Sequence, residues 1–95
     1  MKLKDLVFEL ETVGESYEEE VDYLWSCKVE DVGRITVLDR MTGFGYRDVE
    51  TGYKDTEGKF WLASGHKDVR NLNPDVSIEY CIDWIKREAN TCVGE

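Results

Sequence analysis

Apolar residues near the start of the chain fall at Leu3, Leu6, Val7 and Leu10, the three- and four-residue spacing of one helical face, with Phe8 and Val13 to its sides. Residues 2–12 therefore read as an amphipathic helix ended by Gly14. The segment GESYEEE reads as a turn. From Val21 the period changes: Val21, Tyr23, Trp25, Cys27 and Val29 alternate with Asp22, Ser26, Lys28 and Glu30, as in a strand with one buried face. Leu24 is the one apolar exception and faces the other side. Glu30-Asp31-Val32-Gly33 then turns the chain into a second strand, RITVLD, and so short a link implies an antiparallel hairpin.

The helical period returns near the end. Ile78, Cys81, Ile82, Ile85 and Ala89 form one stripe, flanked by Tyr80 and Trp84. Ser77 is a suitable N-cap, Glu79 and Asp83 lie toward the positive end of the dipole, and Lys86 and Arg87 lie toward the negative end. These features predict a helix over 77–90 that packs on a sheet.

Between the two periodic regions the chain carries a near-repeat: Gly-Tyr-Arg-Asp at 45–48 is followed by Gly-Tyr-Lys-Asp at 52–55. Asp48 to Gly52 and Asp55 to Gly58 each begin with Asp and end with Gly, the chemistry of tight turns. Two such turns make a meander, with Tyr53-Lys54-Asp55 as a short connecting strand between MTGFGYRD and KFWLASG. Turn formation accounts for the repeated glycines and aspartates and leaves the tyrosines and cations unexplained. Phe44, Tyr46, Arg47, Tyr53 and Trp61 are accordingly candidate binding residues, since aromatics and Arg anchor protein interfaces. The expected architecture is a single α+β domain over residues 1–95. In it an antiparallel sheet of three to four strands is covered on one face by an N-terminal and a C-terminal helix.

Charge adds a second candidate surface. The chain has 21 acidic and 12 basic residues, a net charge of −9, and the excess is concentrated at the front. Seven carboxylates lie between Glu9 and Asp22 with no Lys or Arg among them. Glu15, Glu18, Glu19, Glu20 and Asp22 thus form a candidate acidic surface, either a solvated face or one presented to a basic partner. The same charge argues against direct nucleic-acid binding by the basic and aromatic residues around Tyr46 and Trp61. No apolar run suits a membrane span, and acids interrupt the first hydrophobic segment, so the expectation is a cytoplasmic protein with no membrane partner.

Catalytic and metal chemistry find little footing. The three cysteines, Cys27, Cys81 and Cys92, have no zinc spacing and no even pairing; Cys27 and Cys81 fall on apolar faces as expected core thiols, and Cys92 as the accessible one. Asp48, Glu50, Asp55 and Glu57 lack the order of a calcium loop. His66, the only histidine, lies beside Ser64 and Asp68 without a nucleophile spacing; a small enzyme would need it near Cys92 or a carboxylate pair. No cofactor or metal is expected.

The run TGFGYRDVETGYKDTEGKFWLASGHKDVR (Thr42 to Arg70), followed by SIEYCIDWIKREANTC (Ser77 to Cys92), resembles small acidic proteins encoded by phages and mobile elements of Gram-positive and gut bacteria. The resemblance carries no active site. It implies a protein that binds, and so inhibits or redirects, a host protein, including by mimicking nucleic acid toward it. The alternative is an accessory protein that forms a homodimer through a sheet edge or the Tyr80 and Trp84 flank.

Overall fold

One antiparallel sheet in simple chain order organises the computed structural model, which describes residues 1–15, 21–41, 45, 47–63, 67–89 and 92–93. Its strands are β1 (Glu9–Glu15), β2 (Val21–Val29), β3 (Gly33–Met41), β4 (Arg47–Asp55), β5 (Phe60–Ala63) and a two-residue β6 (Cys92–Val93). Among the described residues a single α-helix, α1 (Ile78–Glu88), lies against β4 and β5. The α+β class holds. The sheet is larger than expected, with five strands and the short sixth in place of three or four.

The expected N-terminal helix is replaced by a 3-10 turn at Leu3–Asp5, an irregular stretch and β1. Of the residues whose spacing predicts a helix, only Leu10 lies in β1; Leu3 belongs to the 3-10 turn and Leu6 and Val7 to the irregular stretch, and β1 itself carries a β-bulge. Leu10 pairs with Trp25 and Thr12 with Leu24, so Glu11 is an extra residue on the β1 side. The extra residue flips strand parity: Leu10 and Val13, three apart, both oppose residues of the Trp25 and Tyr23 face. The bulge thereby gives Leu10 and Val13 a three-residue spacing on one face, while Leu3, Leu6 and Val7 owe theirs to the irregular segment before the strand. Gly14, read as a helix stop, is a strand residue opposite Asp22.

The second correction concerns Asp48 to Gly52, which form the middle of β4 and not a turn. β4 is paired along all nine residues with β3, from Met41 opposite Arg47 to Gly33 opposite Asp55. Val49, Thr51 and Tyr53 alternate into the core, a period-two signal masked by the polar Thr and the intervening Gly. The second turn forms as expected. The Gly58 amide donates to the Asp55 carbonyl at 3.1 Å, the Asp55 carboxylate accepts from the amides of Glu57 and Lys59 at 2.9 Å each, and Gly58 has φ +88°.

Register places the core. Cys27, Ile35, Tyr53 and Trp61 form one row across β2 to β5, and Trp25, Val37, Thr51 and Ala63 the next. Ile78, Cys81 and Ile85 of α1 are buried over this face, as the helical stripe predicts, and the Ser77 hydroxyl caps α1 by accepting from the Tyr80 amide at 3.1 Å. Leu3 is buried in the same core. Its segment is held by backbone bonds from Leu3 to the Val76 carbonyl, 2.9 Å, and from Lys4 to the Pro74 carbonyl, 3.0 Å. Buried Thr51 is fully used: its hydroxyl donates to the Lys67 carbonyl at 2.6 Å and accepts from the Val69 amide at 3.1 Å, clipping the 67–71 segment to the sheet.

Candidate functional site

The aromatic candidates separate once the fold is known. Tyr53 is 5% exposed, its hydroxyl donates to the Val32 carbonyl at 2.8 Å, and burial together with the charge of Asp55 pushes its pKa up. Its ring stacks on Trp61 with centroids 5.6 Å apart. The Lys86 ammonium lies 4.6 Å from the Trp61 ring centre and 5.8 Å from that of Tyr53, and Lys59 covers Trp61 at 5.6 Å. Tyr53 and Trp61 therefore belong to the core and its helix contact. Phe44 and Tyr46 lie outside the described residues.

Arg47 is engaged elsewhere. It grips Asp39 with Nε and Nη2 at 2.8 and 2.9 Å, and Arg70 adds a contact to Asp39 at 3.4 Å while holding the buried Asp68 at 2.9 Å. Hydrogen bonding to Arg47 is the main reason the Asp39 carboxyl is held below its ordinary pKa; burial opposes this, and Arg70 assists. This network ties β3, β4 and the 67–71 segment together.

Of the acidic candidates, Asp22 accepts from Arg40 Nε at 3.2 Å. Glu15 belongs to β1, but its side chain, with Glu18, Glu19 and Glu20, lies outside the described residues. The acidic character nonetheless has a structural home. β1 is the first strand of the sheet, so one side of its backbone faces away from β2. On this strand Leu10 is 44% exposed and Val13 52%, and Val7, just before it, is 72% exposed; Glu9 and Glu11 stand beside them, Glu11 paired with Arg34 at 2.7 Å, and the sequence has no Lys or Arg between residues 5 and 15.

Beside it runs a groove of about 440 Å³ between the N-terminal segment and β2. Leu6, Val7, Cys27 and Val29 give it an apolar lining, and Asp5, Glu9 and Glu30 an acidic one, with Lys28 and the amino-terminal Met1 beside them. β1 pairs with β2 only as far as Glu9 opposite Ser26, so β2 runs on past its neighbour here. Sequence reasoning missed Val7, Leu10 and Val13 because a helix would have buried them; the signal available was the glutamate between each apolar pair.

The two described thiols, Cys27 and Cys81, are buried. Burial pushes Cys27 up, with the nearby charge of Glu9 adding to it against a hydrogen bond to the Val7 backbone, and burial likewise pushes Cys81 up. His66 and the side chain of Cys92 lie outside the described residues. Among the described residues no three His, Cys, Asp or Glu side chains gather as metal ligands, and no helix is long and apolar enough to cross a membrane. Of the dimer flank, Tyr80 is exposed beneath Arg87, and Trp84 packs against the core. No family model, no curated protein and no solved structure matches the chain.

Proposed function

We propose that this protein is a non-enzymatic binding domain that docks a basic, extended segment of a partner protein along the open edge of β1. The observation that carries this reading is the edge itself: exposed Leu10 and Val13, with exposed Val7 just before the strand, set beside Asp5, Glu9 and Glu11, with no Lys or Arg between residues 5 and 15. An unpaired strand offers main-chain hydrogen bonds to an incoming strand, and alternating side chains supply its specificity. Edges are ordinarily protected by charge, and here, with Arg34 of β3 reaching Glu11 as the counter-ion, the strand's own charges have one sign. They oppose pairing with a second copy and favour a strand carrying Lys or Arg. This disfavours the homodimer through β1.

The resemblance of Thr42 to Arg70 and Ser77 to Cys92 to phage and mobile-element products suggests a setting, in which the partner is a host protein whose usual ligand is a polyanion. Binding then inhibits by occupying that protein's basic surface.

Synthetic strands test the reading. An alternating Lys-Val peptide is expected to shift the amide resonances of Glu9 to Glu15 in a saturable way, with weaker binding at high salt, and an alternating Glu-Val peptide is not. Leu10→Lys with Val13→Lys should abolish the response while leaving the circular dichroism spectrum intact. Equal binding of both peptides, or shifts confined to other strands, would overturn it.

A further inference from the structure

The face of the sheet opposite α1 carries a feature that the edge-docking reading does not use. Lys28, Arg34 and Lys54 occupy directly opposed positions on β2, β3 and β4. Opposed side chains on adjacent strands begin only about 5 Å apart, and like charges there are destabilising. A chain of net charge −9 has nonetheless set three of its 12 cations in one line. Arg34 has one counter-ion, Glu11, at 2.7 Å, reached by spanning β2. Lys28 and Lys54 are exposed and make no ion pair among the described residues.

The row opens onto a hollow of about 270 Å³ between the β2–β3 and β4–β5 turns, which contribute Asp31 and Thr56. Gly33 lines it as bare backbone. A side chain there would collide with the Lys54 carbonyl oxygen, and Gly33 has φ +140°, so no other residue fills this space. Two carboxylates share the wall, Asp31 and Asp55, and both oppose an anion; Asp55 is held in place by the amides of Glu57 and Lys59, which it accepts from, so the three cations leave an excess of one positive charge around the hollow before Glu11 is counted.

We infer that the Lys28, Arg34 and Lys54 row is a binding site for a phosphate group, either free or carried on a phosphorylated side chain. Three cations lining one hollow can turn their charged ends onto a dianionic tetrahedral group with charge-assisted hydrogen bonds, and Arg34, once released from Glu11, can meet it with two N–H groups at once. The Thr56 hydroxyl at the rim is a further donor. Glu11 competes with the ligand for Arg34, so binding exchanges an internal partner for an external one.

Nuclear magnetic resonance titrations of the intact protein test this with inorganic phosphate, a phosphoserine tripeptide and the unphosphorylated tripeptide. Saturable shifts at Gly33, Arg34 and Lys54 with the first two and not the third are expected. Tighter binding of the phosphopeptide identifies a phosphorylated side chain as the source, and tighter binding of inorganic phosphate identifies a free ligand. Lys54→Ala should weaken binding about tenfold, the loss of one charge-assisted hydrogen bond, and Glu11→Gln should strengthen it several-fold. Phosphate should raise the melting temperature of the parent protein but not that of the Lys28→Ala, Lys54→Ala double variant, whose fold its unchanged circular dichroism verifies. Absence of saturable shifts, equal response to the unphosphorylated tripeptide, or undiminished affinity in the double variant would overturn the assignment. Loss of Lys-Val peptide binding at β1 would leave it untouched.

Discussion

Gly52 shows how one residue type answers two needs within a short repeat. Gly45 and Gly58 adopt positive φ, 84° and 88°, where a Cβ is strained. Gly52 sits inside β4 with ordinary backbone, and its missing side chain makes room for others. A Cβ there would stand 2.7 Å from both Phe60 Cζ and Thr36 Oγ1. Gly52→Ala should therefore cost about 1–3 kcal/mol in urea unfolding, and Phe60→Leu in the same chain should recover part of it. An equal cost in both backgrounds would show that Phe60 is not the obstacle. The Asp39 network supplies a second residue-scale expectation. Its folded pKa lies below the unfolded value of about 3.9, so its contribution is present above pH 4 and lost as pH falls through the folded value. Melting temperature should thus fall less between pH 5 and pH 2 in Asp39→Asn than in the parent, with the variant less stable at pH 7 by about 1–2 kcal/mol.

Elements differ in how much of their character is local. For α1 the stripe of Ile78, Cys81 and Ile85, the Ser77 cap and the charged ends all pointed to a helix, and the observed span, Ile78–Glu88, follows. Ser77→Ala is expected to cost about 1 kcal/mol and Ser77→Asp close to nothing, read as shifts in the urea midpoint. The β2–β3 hairpin was equally legible, because the alternation of its first strand is interrupted only at Leu24 and its turn is short. β1 was not, since a bulge at Glu11 changes the parity that period-two reasoning depends on, and pairing with β2 decides whether a bulge forms. β4 was split into turn and strand for a related reason. Its Asp, Gly and Thr favour turns locally, but an uninterrupted ladder with β3 and the burial of Val49, Thr51 and Tyr53 outweigh that preference.

At the scale of the whole molecule, charge and edge act together. The glutamates of β1 should keep the 11.0 kDa chain from pairing with itself through this edge. Replacing Glu9, Glu11 and Glu15 together by Thr is expected to produce concentration-dependent association in light scattering, toward twice the monomer mass, whereas the parent stays at monomer mass. A triple variant that also stays monomeric would show that something other than charge guards the edge. The sequence by itself determined the acidic front, the C-terminal helix, the hairpin that follows Val21 and the burial of Cys27 and Cys81, because each rests on composition or on contacts between residues close in the chain. Tertiary structure decided the rest. Leu3, Leu6 and Phe8 feed the core from an irregular segment, Tyr53 and Trp61 turn inward beneath Lys86, and Leu10 and Val13 come to lie along an open edge, with Val7 just before it. Lys54 comes to stand beside Arg34 and Lys28, themselves paired across the β2–β3 hairpin, only because the register of β3 with β4 places it there. Register and strand order are set by burying one face of the whole sheet at once, and that is a property no local window of residues contains.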